Sequence, residues 1–434
     1  YVIKQCPLSP ANALALREAL PWLKPSPLGL ETSAGFGDRL GLATPGHISA
    51  LELALRQPGA QPIQPIFAQQ SIREMTRTRR SPADVLNDAT WGTFQAGWHG
   101  WVGADADHLK TTEDIDSCAA AGYTFYTFDP GAHVDSRADT LEAAEIQRLV
   151  EGLPWDTLES SPADLLQSYG EREIELESRV LHLSTADMLR AAAKYGRAIA
   201  HVTTLFRHLH AKGQPYEVEV SVDETETLTT HGEHFYIVSE LRRLGVQWVS
   251  LAPRYVGSFE KGIDYIGDIK ALRVDMAGHA EIARAMGPYK LSLHSGSDKF
   301  SIYPLAQELT RGLVHLKTAG TSYVEALHVI AQVAPTLFRA ITAFAREHYL
   351  QDRQSYHVSA ILERMPDLAA LSDQELPPLL DHLDTRQVLH VTFGSTLDAF
   401  GPALRGVLQQ YEQAYAEQLE THFYRHLAPF TQKA

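Results

Sequence analysis

The chain has 434 residues, 44% of them hydrophobic, which is enough to bury one large core and support an appendage. Its formal net charge is −15, and with no basic stripe to neutralise phosphates, nucleic acid is excluded as a main partner. Only two cysteines are present, Cys6 and Cys118, with no CxxC, so a disulfide framework is excluded and a thiolate metal site is not expected.

In chain order, a short helix is predicted at Ala11–Leu20. Eight β-like runs follow, separated by helix-like segments: Ser33–Ala43, Ile63–Gln69, Gly100–Leu109, Tyr123–Asp129, Tyr216–Asp223, Val246–Ala252, Tyr289–His294 and Leu313–Lys317. Strand–helix alternation repeated eight times predicts an α/β fold, a (β/α)₈ TIM-type barrel. The interval from Gly131 to Gln214 is longer than one crossover needs. Its acidic stretches EAAEIQRLVEGL and EREIELESRVLHL predict a helical insertion that covers the barrel mouth or forms an oligomer contact. After Gly320 the chain reads as mostly helical, with a break at Pro335, plus two β-like pieces at Tyr356–Ile361 and Arg386–Gly394. The expected organisation is a segment 1–30, a barrel 31–330 with its insertion at about 131–214, and a mostly helical extension 331–434. No apolar run of about 18 residues could span a membrane, and the opening YVIKQCPLSP lacks a secretory layout. A soluble cytoplasmic protein is expected.

Period-2 patterning decides which residues face a barrel lumen. Glu217, Glu219, Ser221 and Asp223 oppose Val218, Val220 and Val222; Asp105 and Asp107 oppose Ala104 and Ala106. On the last two runs, Ser292 and His294 oppose Leu291 and Leu293, and His315 and Lys317 oppose Val314 and Leu316. Carboxylates seldom face inward unless paired or bound to a cation. Mixed oxygen and nitrogen donors without thiolate suit Zn²⁺, Mn²⁺, Co²⁺ or Ni²⁺. From inward phase alone, the expected metal ligands are Glu219, Asp223, His294 and His315. Asp107, Asp105, Lys317 and Lys110 are the expected catalytic groups, with Lys317 also able in principle to form a Schiff base. Arg254, Lys299, Asp38 and Gln69, near strand ends, are the expected substrate-binding groups. His231 and His234 read as surface or capping residues. His357 and His390 are each balanced between a site and a structural role. GxGxxG after a strand, GxxxxGK[ST], GxSxG and HExxH are all absent.

The blocks FGDRLGLATPGH, FAQQSIREM, GADADHLKT, EVSVDETET, SLAPR with FEKGIDYIGD, KLSLHSGSDKFSIYP, HLKTAGTSYVEAL, YHVSA and RQVLHVTFG run from about Gly35 to Gly394. Through them the chain resembles the tagaturonate epimerase family, which interconverts tagaturonate and fructuronate. The resemblance implies a metal-dependent sugar-acid epimerase of hexuronate catabolism. The inverted carbon lies β to the ketone, which leaves retro-aldol cleavage with re-addition, transient oxidation, or deprotonation at the inverted carbon itself. The missing dinucleotide fingerprint favours the first, with Asp107 taking the hydroxyl proton. The expected partner is a keto-uronate or a ketohexose such as tagatose or fructose; membrane is not expected, and a homo-oligomer is left open. The alternatives are a class II-like metal-dependent aldolase or ketose isomerase on the same barrel, or a non-catalytic sugar-acid binding protein.

Overall fold

The computed structural model describes residues 5–433. Eight parallel strands close a barrel: β1 (Ser33–Gly35), β2 (Gln64–Ser71), β3 (Gly103–Leu109), β4 (Phe125–Phe128), β5 (Glu217–Ser221), β6 (Ser250–Ala252), β7 (Lys290–Leu293) and β8 (Val314–Lys317). They pair in the order β1-β8-β7-β6-β5-β4-β3-β2, each with its sequence neighbours. This is the predicted (β/α)₈ barrel, with all eight strands inside or overlapping the eight expected runs. Helices cover the outer faces, so the valines of β5 are as buried as its carboxylates.

The amino end of the barrel is plugged. Leu28, Ile66 and Phe125 pack together there, and Glu217 accepts the backbone N–H groups of Leu28, at 2.9 Å, and Gly29. The lumen therefore opens at the carboxyl ends of the strands.

Two segments depart from the expected secondary structure. EREIELESRVLHL is not helical: Arg172–Glu175 and Val180–Leu183 form an antiparallel hairpin. Its Glu–Ile–Glu–Leu alternation outweighs the helix preference of glutamate once the strands can pair. Ser178 in its turn binds Glu281, with Oγ at 2.6 Å, so the hairpin lies against the outer helix layer. Of the two β-like pieces near the C-terminus, Tyr356–Ile361 forms no strand, and Arg386–Gly394 falls in two helices, Leu383–Val391 and Phe393–Gln410. Every residue from Arg386 to Gly394 is buried, so period-2 alternation there carried no information about an exposed face. Pro335 does break the preceding helix, separating Thr321–Val333 from Pro335–Asp352. The final helix Glu412–Leu427 packs against Thr44–Leu55, where Gly46 lets Leu419 and Ala416 approach. No helix among the described residues is long and apolar enough to cross a membrane.

Candidate active site

Three side chains from β3 define the mouth. Asp105 and Asp107 face the lumen by alternation. His108 joins them because its backbone is left-handed, φ 57°, where the β3–β4 register shifts between Ala106 and Leu109. Such a bulge re-aims a side chain, and histidine is among the residues that tolerate this region. His108 Nδ1 consequently lies 2.7 Å from Asp107 Oδ1.

Lys317, at the end of β8, is the hub. Its Nζ lies 2.7 Å from Asp107 Oδ1, 2.9 Å from Asp105 Oδ2 and 2.8 Å from Glu219 Oε1, and it donates to Thr127 Oγ1 at 2.6 Å. Gln69 Nε2 donates to Asp107 Oδ2 at 3.1 Å. His294 is held on both sides, Nε2 by Glu219 Oε1 at 2.6 Å and Nδ1 by Asp223 Oδ1 at 3.0 Å.

The titration behaviour follows from these contacts. Burial, reinforced by Asp107 and Glu219, pushes the Asp105 carboxyl up to about 7 against the pull of Lys317. Burial would also raise Asp107 and Glu219, but His108 and Lys317 hold the first well below the carboxylate range, and Lys317 and His294 do the same for the second. Burial alone would lower the two imidazoles; Asp107 and Glu224 instead raise His108 to about 9, and Asp223 with Glu219 raises His294 to about 10. Two imidazoles kept cationic among five carboxylates mark a place where positive charge is demanded.

A divalent ion would answer that demand. Ligand atoms of His108, Asp223 and His294 lie within 4.8 Å of one another, and those of His108, Asp129 and Glu224 form a second such group. Glu219 Oε2 and His108 Nε2 are buried without a hydrogen-bond partner among the described residues. Oxygen and imidazole donors of this kind fit Zn²⁺, Mn²⁺, Co²⁺ or Ni²⁺.

A cavity of about 610 Å³ adjoins this cluster, lined by Asp223, Glu224, Arg254, Lys261, Tyr356 and His357 among others. Glu224 also borders a smaller one, about 260 Å³, beside His108, Lys110 and Asp129. With the fold and mouth thus described, the chain matches the family model of UxaE, tagaturonate epimerase, over residues 2–430. The chain belongs to the tagaturonate epimerase family. It is 43% identical over 424 residues to the tagaturonate/fructuronate epimerase of Thermotoga maritima, covering 97% of this chain and 85% of that protein. A glycerol-complexed crystal structure of fructuronate-tagaturonate epimerase UxaE from Cohnella laeviribosi matches with a TM-score of 0.93 at 36% identity, over 98% of this chain and 87% of that one. The native crystal structure of the same enzyme gives 0.92 at 36% identity, over 98% and 86%.

In this member of the tagaturonate epimerase family, the expected residues Asp105, Asp107, Lys317, Glu219, Asp223, His294 and Gln69 meet in one network. Lys110 reaches the rim, 3.1 Å from Asp129, and Arg254 lines the larger cavity. Three expectations are placed elsewhere. Asp38 accepts the backbone N–H groups of Leu40, Gly41 and Ala43 at 2.8–2.9 Å and shapes its own loop. Lys299 Nζ donates to the carbonyls of Glu260, Ile263 and Ser297, leaving it bound to backbone rather than turned to the mouth. His315 sits deeper in the lumen, with Nδ1 2.8 Å from Ser33 Oγ, and joins none of the close ligand groups among the described residues.

Sequence reasoning did not assign His108, Glu224, Lys261, Thr127 or Tyr356 to the site. Thr127 had a legible signal, being a small polar residue in phase with the lumen in an otherwise aromatic strand. Of the two histidines expected at the surface or as caps, His231 is half-buried at the first position of a helix that Thr230 caps, whereas His234 is fully buried. His357 lines the larger cavity, whereas His390 is wholly buried.

Proposed function

We propose that the chain interconverts D-tagaturonate and D-fructuronate by inverting C4, the carbon β to the ketone, through retro-aldol cleavage with a bound divalent ion. The observation that carries this reading is the Lys317 cage of Asp105, Asp107 and Glu219 directly beside the His108–Asp223–His294 group. Held by Asp223, His294 and His108, with Glu219 Oε2 as a further donor, the ion would supply Lewis acidity to the ketone end of the substrate.

The chain's own groups then manage protons and position. Asp107 accepts the C4 hydroxyl proton as the C3–C4 bond breaks, leaving the electron pair on the C1–C3 fragment and an aldehyde at C4. Lys317 links Asp107 to Asp105, so the three groups share the incoming proton, and Asp105, at about 7, is matched to neutral pH. Arg254 and Lys261 bind the C6 carboxylate and retain the aldehyde fragment while it turns over. Re-formation of C3–C4 on the opposite face, with the proton returned to O4, inverts the centre without removing a hydrogen from carbon.

The test is conversion of tagaturonate to fructuronate by metal-stripped and reconstituted protein in D₂O. Epimerisation restored by metal, without deuterium at C4 and with a trappable three-carbon aldehyde, is expected. Deuterium at C4 would overturn the cleavage route, and turnover unaffected by chelation would overturn the ion. Parallel assays of tagatose and fructose read whether neutral ketohexoses are accepted.

A further inference from the structure

A second histidine–carboxylate cluster lies on the outer wall of the barrel, between α1 (His231–Arg243) and α2 (Ile269–Met286). His231 opens α1, and Asp275 and His279 stand one turn apart on α2. One ligand atom from each lies within 4.8 Å of the others.

The separations inside the cluster are informative. Asp275 Oδ1 is 3.7 Å from His231 Nε2 and 3.5 Å from His279 Nε2. Both exceed the usual 2.7–3.2 Å of an N–H···O hydrogen bond. Two ligands about 2.0–2.1 Å from one tetrahedral ion, however, stand about 3.3–3.4 Å apart. His279 is fully buried, yet its Nε2 has no hydrogen-bond partner among the described residues.

The surroundings orient these atoms as a second layer would. His279 Nδ1 lies 2.9 Å from His234 Nδ1, and His234 Nε2 lies 2.7 Å from the Tyr289 hydroxyl. Asp275 Oδ2 accepts the Val256 N–H at 2.9 Å, which fixes the carboxylate with Oδ1 turned inward. Such partners hold a ligand's tautomer and direction. A β-carbon at Gly278 would run into the His231 ring, so glycine there keeps the ring in place. The competing contact is the carbonyl of Asp275, 2.9 Å from His231 Nε2, which the ring would give up. The nearby Arg179 is drawn aside by Glu281 at 3.4 Å.

We propose that His231, Asp275 and His279 bind one divalent transition-metal ion, best suited to Zn²⁺, which staples α1 to α2 outside the barrel and apart from the mouth. Water completes the coordination, and the role is structural.

The test uses full-length protein carrying H108A and H294A, which disable the mouth, stripped of metal and titrated with Co²⁺. One equivalent with intense visible bands of a tetrahedral centre is expected, and D275N or H279Q should erase the bands and weaken binding at least about tenfold. H231Q, at a half-buried helix start, gives the same readout if H279Q does not fold. In the otherwise unaltered protein, H231Q should lower metal content by one equivalent. Substoichiometric Co²⁺ binding by the H108A/H294A protein, or unchanged affinity and spectrum in H231Q and D275N, would overturn the proposal.

Discussion

Two buried charge networks sit near the carboxyl end of β7, and they differ in what they leave unsatisfied. Behind the loop, Asp298 is bound by Arg386 at 3.0 Å and His422 at 2.7 Å, and Arg386 also reaches Glu325 at 3.1 Å. Glu325 Oε2 accepts Gln418, and His426 accepts the Asp298 N–H while its other nitrogen meets the His422 carbonyl. None of these six side chains has a buried atom without a partner among the described residues. At the mouth, the network around Lys317 is as deeply buried but leaves Glu219 Oε2 and His108 Nε2 unmatched. Burial and ion pairing are common to both; unspent valence is what separates a site from a rivet.

That contrast can be broken by substitution. K317M strips three carboxylates of their counterion and should lower kcat by about 10²–10³-fold while also destabilising the fold, read by steady-state assay and denaturant unfolding. R386M, which leaves Asp298 and Glu325 uncompensated, should cost about 3–5 kcal/mol of stability in the same unfolding assay. Its kcat per folded molecule should stay near that of the parent, and a large selective drop in kcat would erase the distinction. K261M should raise KM for a uronate about tenfold and leave KM for a neutral ketohexose unchanged.

The smallest effect is a pH dependence. His108 and His294 are raised from the ordinary 6.5 to about 9 and about 10. The folded state therefore holds protons that the unfolded chain has released, and their stabilisation is complete below about 6.5 and lost as pH rises through 9–10. The thermal midpoint of metal-stripped protein should fall across that window, and a flat profile would show that the two imidazoles are not cationic.

The barrel was legible because each strand kept a clean two-residue phase against a helix-covered outer face, and that phase also selected Asp105, Asp107, Glu219, His294 and Lys317. It failed where the backbone leaves the β region. In strict alternation His108 would share the face of Ala104 and Ala106, and its own left-handed backbone is what brings it to the lumen. Lys299 lies beyond the strand, where phase no longer determines direction, and three carbonyls capture its ammonium. In RQVLHVTFG, burial on every side removed the contrast on which phase depends. The partners of Asp298 are separated from it by 88 and 124 residues, a pairing that no local pattern encodes.

The larger cavity takes Tyr356 and His357 from chain that follows all eight strands. During synthesis, a ribosome that has released the last barrel strand has therefore not yet made one wall of the pocket, nor the Arg386 and His422 that clasp the β7 loop. Competence to turn over substrate arrives only when the closing helices dock, so a truncated product can carry a complete ring of strands and still be inert.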